Sequence, residues 1–348
     1  MEKRRFRWFF PGLSAALLVL FAVTVFMLIK VREREMALGD KVTELEEELA
    51  EVPTTEEVMA AAEGTELENG EIYYSRETIK LKARDANSLT ELMAMIFSDR
   101  AVYYDGEKYI YAPLAEGVAL NDYELDKIIT DEDTGLKSYT DSKGRTALMG
   151  IDVSTWQGDI DWARVKAAGV QFAFLRAGLR GYESGTVFED DTVRYNLREA
   201  NANGIPVGIY FYTQAATPEE GREEARMVLD LIRGYEVTWP IVFDVELEGS
   251  ETSRTRNLTP AQRTDIAIAF CETIEQAGYR PMIYGNMRML CGELETGRLA
   301  AYDMWLAQYF NRPRCPYRYG IWQYTSTGRI DGISGDVDID MAFVDYGA

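Results

Sequence analysis

The stretch PVGIYFYTQAATPEEGREEARMVLDLIRGYEVTWPIVFDVE, residues 206–246, decides the fold. Its two ends, PVGIYFY (206–212) and PIVFDVE (240–246), are short runs rich in β-branched and aromatic residues and read as strands. Between them Thr217 and Pro218 stand as cap and first residue of a helix in which charged and apolar residues alternate. Strand, helix, strand is the unit of a parallel sheet. The same alternation continues on both sides. Upstream lie GIDVS (150–154) and QFAFLRA (171–177), separated by DWARVKAAG. Downstream lie TPAQRTDIAIAFCETIEQAG, again opened by Thr and Pro, and the strand PMIY (281–284). Three strands follow with shorter links: MWLAQY (304–309), YGIWQYT (319–325) and VDIDMAF (337–343). Five βα units and three strands make eight, so the residues predict a closed, parallel-rich α/β barrel of the TIM type with its last helices reduced.

The 348-residue chain contains no histidine. That removes Ser-His-Asp and Cys-His nucleophilic catalysis, which need an imidazole base. It also removes the usual catalytic zinc site, and the three cysteines Cys271, Cys291 and Cys315 cannot build an all-thiolate one. Their spacing matches no metal or redox motif, and the sequence leaves open whether two of them pair or all are buried thiols. No cofactor and no metal are expected. A formal charge of −21 argues against a nucleic-acid partner, although acidity for solubility alone reads the same way. Carboxylate chemistry remains for hydrolysis, and it suits glycosidic bonds better than amides.

Ahead of the barrel the chain changes character three times. Residues 8–29 are apolar without a charge, about the ~20 residues that cross a bilayer, and Lys3, Arg4, Arg5 and Arg7 precede them. An uncleaved anchor with a cytoplasmic N-terminus is expected over residues 1–30. The rival reading, a cleaved signal peptide, lacks the A-x-A-like site it needs. In a stalk at residues 31–54, Leu38, Val42, Leu45, Leu49 and Val52 keep an a/d rhythm over 38–52, read as a homodimeric coiled coil or a solvated helix. Residues 55–147 read as a small α+β module, with EIYY and ETIKLKA as strands, SLTELMAMIF as a helix and AVYYDGEKYIYAP as a hairpin turning at Asp105–Gly106. No chemical constellation stands out in it. The barrel domain is placed at 148–348.

In such barrels chemistry sits at the C-terminal ends of the strands. Those ends carry Asp152, Arg176, Tyr210, Tyr212, Asp244, Glu246, Tyr284, Gln308 and Gln323, with Asp338 at the start of the last strand, which closes beside the first. Side chains alternate along a strand, so Val242, Asp244 and Glu246 share one face and Ile241, Phe243 and Val245 the other. The apolar set packs on the outer helices and both acids face the interior, with Cα atoms about 6.6 Å apart. Two carboxylates that close in a desolvated cleft repel, which raises one pKa and suits a general acid. Glu246 is read as that acid and Asp244 as its ionised companion; a salt bridge from Asp244 to Arg176 is the plain structural alternative. Trp156, Tyr210, Tyr212, Trp305, Tyr309, Trp322 and Tyr324 cluster near the same ends, where rings stack on sugars or simply fill the core.

GIDVSTWQGDIDW (150–162), FLRAGLRGY (174–182), GIPVGIYFY (204–212), FDVE (243–246), MWLAQY (304–309), IWQYTSTGRIDGISG (321–335) and VDID (337–340) together resemble the lysozymes of glycoside hydrolase family 25, over roughly residues 149–346. The resemblance implies an irregular eight-stranded βα barrel that cleaves the β-1,4 bond between N-acetylmuramic acid and N-acetylglucosamine in peptidoglycan glycan strands. It implies Glu246 as the acid, Asp244 as its companion and Asp152 and Asp338 as supporting acids. Such an enzyme, anchored through 8–29, is expected at the outer face of a bacterial cell membrane. A non-catalytic wall-binding or scaffold protein is the alternative expectation.

Overall fold

The computed structural model describes residues 99–347 without a break, together with 76–86, 89–97 and a few isolated positions before them. The apolar span at 8–29 and the heptads at 38–52 lie outside the described residues. Among the described residues no helix is long and apolar enough to cross a membrane. The chain forms two compact units, residues 1–78 and 79–348. In the first, the short strands β1 (Thr65–Glu66) and β2 (Ile72–Tyr73) pair antiparallel.

Helix α1 (Arg76–Asp85) corrects the reading of ETIKLKA as a strand. Two alternations of apolar and polar residues imitate a strand. The segment is otherwise made of long charged residues that favour helix, and Lys82 and Arg84 in its last turn complement the helix dipole. Helix α2 (Leu89–Ile96) and the hairpin β3 (Arg100–Tyr104) and β4 (Tyr109–Pro113) form as the sequence predicts, with Gly106 at φ 107° in the turn. A second hairpin, β5 (Ile128–Thr130) and β6 (Lys137–Tyr139), leads to the barrel.

The barrel strands are β7 (Leu148–Val153), β8 (Phe172–Arg180), β10 (Val207–Thr213), β11 (Ile241–Val245), β12 (Pro281–Asn286), β13 (Asp303–Ala307), β14 (Ile321–Gly328) and β15 (Val337–Ala342). They follow one another around a closed ring, while β9 (Val187–Glu189) folds back on β8 outside it. Neighbours run parallel from β7 through β14. The last strand, β15, is antiparallel to both β14 and β7, because the short link from β14 holds no crossover helix. Helices α3 (Trp162–Ala167), α4 (Val193–Ala202), α5 (Pro218–Leu231) and α6 (Pro260–Gln276) lie in the links between the earlier strands. Thr217 caps α5 by accepting the Glu220 N–H, and Thr259 forms a reciprocal capping box with Gln262 on α6.

Where the helices run out, residues 99–147 cover the barrel. Tyr123 stacks on Phe343 at 4.1 Å and donates its hydroxyl to Tyr319 O at 2.7 Å. The Ala115 and Lys137 N–H groups donate to the hydroxyls of Tyr317 and Tyr324. Ala101, Tyr103, Ile128 and Tyr139 join the same buried cluster as Trp322 and Tyr324.

Inside the barrel, Phe172 stacks on Trp239 with centroids 4.0 Å apart and Phe174 on Trp305 at 4.6 Å. Glycine makes the room. Gly150 is in register with Phe172 and Gly208 with Phe174, and a Cβ on either glycine would stand inside the facing ring. A methyl at that place has no solvent side to escape to. Gly208→Ala is expected to cost about 1–3 kcal/mol and lower the thermal midpoint, with part of the loss recovered in Gly208→Ala/Phe174→Leu. An unchanged melt for Gly208→Ala would show that the rings do not need the gap.

Candidate active site

Above the aromatic floor the interior turns polar within one residue step. On β11, Val242 packs inward with the rings and Ile241, Phe243 and Val245 pack outward, so Asp244 and then Glu246 face the cleft, as the alternation predicts. On β7 the inward sequence Gly150, Asp152 changes from a gap to a carboxylate. Because β15 runs antiparallel, its N-terminal end lies at the mouth, and Asp338 stands in register opposite Asp152. The resulting cleft, about 430 Å³, is lined by Asp152, Arg176, Tyr210, Tyr212, Asp244, Glu246, Tyr284, Trp305, Tyr309, Gln323 and Asp338, all expected there from the sequence. Trp156, 83% exposed, stands at its lip.

Gln308 and Trp322 are corrections. Trp322 points outward, is fully buried among the covering residues and donates its indole N–H to Gln308 O at 2.7 Å. Gln308 turns its amide oxygen to the Arg314 N–H at 2.6 Å. The physical reason is period two: Gln323 and Tyr309 face inward, so the residue immediately before each faces out. Tyr324 shares the outward face of Trp322.

Gln323 is the hub of the polar layer. Its amide N–H donates to Asp152 Oδ2 at 2.8 Å, and its amide oxygen accepts from the hydroxyls of Tyr284 at 2.9 Å and Tyr309 at 3.0 Å. Arg176 pairs with Asp190, at 2.8 Å from both Nε and Nη2, rather than with Asp244. Asp190 is buried and also accepts the backbone N–H groups of Thr155 and Thr192. Asp244 is left 5% exposed, with Oδ1 unpartnered.

Asp340 was missed, although it shares a face with Asp338 by the same alternation that placed Asp244 with Glu246. It is fully buried and accepts the Trp305 indole N–H at 2.8 Å on Oδ1, while its Oδ2 has no hydrogen-bond partner among the described residues. Glu248, Ser154, Gln157 and Leu179 also line the cleft without having been singled out.

These acids hold their protons more tightly than free carboxyls do. Burial pushes Asp152 well up, with Asp338 and Asp340 adding to it and the Gln323 hydrogen bond opposing. Burial does the same to Asp244, reinforced by Glu246 and opposed by Arg176. Glu246 is raised by burial, then by Glu248 and Asp338. Burial pushes Asp338 up to about 6. Carboxyls this close in a desolvated layer oppose one another's ionisation.

The family model for glycosyl hydrolases family 25 matches residues 151–333. The chain belongs to glycosyl hydrolases family 25. Lysozyme M1 of Streptomyces globisporus is 30% identical over 202 residues, covering 56% of this chain and 67% of its own. The autolytic lysozyme of Clostridium acetobutylicum is 25% identical over 194 residues, covering 56% of this chain and 55% of its own. The modular autolysin LytC of Streptococcus pneumoniae, solved with a synthetic peptidoglycan ligand, superposes with a TM-score of 0.52 at 27% identity. That match covers 62% of this chain and 51% of LytC, so this chain spans about half the length of that relative. The matched barrel is a glycoside hydrolase domain of family 25, and its strand-end carboxyls line the cleft.

The raised acids carry a stability cost with a definite sign. A carboxyl raised in the folded state binds more protons there than in the unfolded chain, so its stabilisation is complete below the unfolded value near 3.8 and is lost as pH rises through the folded one. Asp340→Asn removes that loss at its position. Its melting temperature is expected to exceed the parent's at pH 8, with the gap narrowing towards pH 5. A gap that stayed constant with pH would show that Asp340 does not titrate with folding.

Proposed function

We propose that this glycoside hydrolase cuts peptidoglycan as an N-acetylmuramidase, at the β-1,4 bond between N-acetylmuramic acid and N-acetylglucosamine. The observation that carries the reading is the pair Asp244 and Glu246 side by side at the mouth of a family 25 barrel. The lysozyme and autolysin relatives support the same polymer. Glu246 is the general acid: it stands beyond the strand end, less buried than Asp244, where a glycosidic oxygen can approach. Its proton passes to the leaving oxygen as the C1–O bond breaks. The 2-acetamido oxygen of muramic acid attacks C1 from the other face, and Asp244 accepts a hydrogen bond from the acetamido N–H. Water then opens the cyclic intermediate and returns a proton to Glu246, so configuration is retained by a substrate-assisted route. Asp152 and Asp338 steady this pair, and Tyr210, Tyr212, Tyr284, Trp305 and Tyr309 supply faces and hydroxyls to the sugar.

The anchored form belongs to the same proposal. Residues 8–29 hold the chain in a bacterial membrane with its N-terminus cytoplasmic, 38–52 pair as a stalk, and the barrel works on wall outside. The uncharged length of 8–29 and the basic residues before it support this. In cells, the full chain is expected to resist alkaline carbonate extraction from membranes, and a chain starting at residue 31 to be released by it. Equal release of both would remove the anchor.

Activity is tested on purified peptidoglycan with the full chain in detergent. The parent is expected to free reducing N-acetylmuramic acid ends, and Glu246→Gln and Asp244→Asn to lose about 10²–10⁴-fold with folding intact. NMR of the first product is expected to show the retained anomer. Reducing N-acetylglucosamine ends would place the cut at the other bond, and the inverted anomer would end the substrate-assisted route.

A further inference from the structure

The loop leaving β11 carries an acid that the four-carboxylate assignment leaves without a role. Glu248 lies two residues beyond Glu246 and lines the same cleft. Its carboxylate accepts the phenolic hydrogen of Tyr212 at the end of the neighbouring strand β10. The loop is tied down beyond it. The Arg254 N–H donates to Tyr182 O at 2.9 Å, the Arg254 guanidinium grips Glu220 at 2.6 Å and Gln214 O at 3.1 Å, and Thr252 donates to Glu183. Glu248 is thus fixed from both sides, by a tyrosine on one strand and by an anchored loop.

We infer that Glu248, held by Tyr212 at the lip of the cleft, is a positioning residue that keeps Glu246 charged with its proton between turnovers. The inference rests on the assignment of Glu246 as general acid. Its physical basis is like-charge repulsion in a cleft with little water, which disfavours ionising both groups. After burial, Glu248 is the largest influence on Glu246, ahead of Asp338. The other groups around Glu246 do not replace it. Asp244, on β11 two residues before Glu246, is itself pushed up by burial and then by Glu246, and Tyr212, Tyr284 and Tyr309 face Glu246 as phenols whose ionisation burial pushes up. The positive groups nearby already have partners: Arg176 on β8 is paired with Asp190, and Arg263 on α6, which shares a small cavity with Glu246, faces Glu293 at 3.7 Å. Tyr212 matters because it aims the Glu248 carboxylate; without that hydroxyl the side chain can turn to solvent, where its charge is screened.

The test titrates Glu246 directly in the full chain, labelled with 13C at glutamate carboxyls and held in detergent micelles, with its resonance assigned by loss in Glu246→Gln. In Glu248→Gln the Glu246 midpoint is expected to fall by about one pH unit. In Tyr212→Phe it is expected to fall by less. On soluble glycan fragments the alkaline limb of kcat/KM in Glu248→Gln should move by the same amount with KM unchanged, and Glu248→Asp should restore most of it. A Glu246 midpoint that stays in place in Glu248→Gln overturns the inference. So does a KM rise with an unmoved limb, which would make Glu248 a contact to the sugar. An inactive parent whose Glu246 midpoint still falls in Glu248→Gln sinks the muramidase reading and leaves the coupling standing. An active parent with an unmoved midpoint sinks the coupling alone.

Discussion

The structure depends on two stacked pairs of rings inside the barrel, Phe172 on Trp239 and Phe174 on Trp305. They fill the barrel interior beneath the carboxyls. Asp152, Asp244 and Asp340 therefore meet low dielectric beneath and a narrow cleft above, and burial is the first cause of the upward shift in each. Trp305 belongs to both layers. Its ring packs on Phe174 and against Tyr284, and its N–H holds Asp340. The floor that seals the barrel is also the first support of the acid layer.

Clustered acids of one sign cost stability, and this site offsets the cost with ordered donors more than with counter-charges. Gln323 ties Asp152 to two tyrosines, and Trp305 satisfies one oxygen of Asp340. Arg176, the cation within the cleft, is already neutralised by Asp190, so it orients the wall more than it relieves Asp244. A free guanidinium beside Asp244 would favour its ionised form and offset the upward push that burial gives it. Placing the ion pair one step back keeps both effects modest.

Much of this was legible because a barrel strand reports its faces by period two. The eight strands, the capped helices α5 and α6 and the inward set on β11 follow from spacing and caps alone. The failures obey the same rule. Gln308 and Trp322 were placed in the site because they lie near strand ends, yet each precedes an inward residue and must face out. Asp340 escapes the reading although Asp338 and Asp340 stand two apart, because a carboxyl that deep looks like an exception until its donor Trp305 is seen. Asp190 and Glu248 lie in connections, where no periodicity marks which way a side chain points. Helix α1 misled for the opposite reason, since two alternations are too few to separate a strand from a charged helix.

The helix-poor side of the barrel gives residues 99–147 a physical task that composition did not suggest. Strands β13 to β15 and their links turn Tyr317, Tyr319, Trp322, Tyr324 and Phe343 outward, and no crossover helix follows β14 to cover them. Large aromatic faces left in water would each forfeit about 1.5–3 kcal/mol of burial and invite association. Tyr123 and Tyr139 pack on Phe343, and Tyr103 and Ile128 join the same cluster. Tyr103, Tyr123 and Tyr139 are taken up by this packing, while Tyr104 and Tyr111 stay exposed. The same packing fixes Gln323 indirectly. Its strand neighbours Trp322 and Tyr324 are clamped from outside, so its amide has one direction left, towards Asp152.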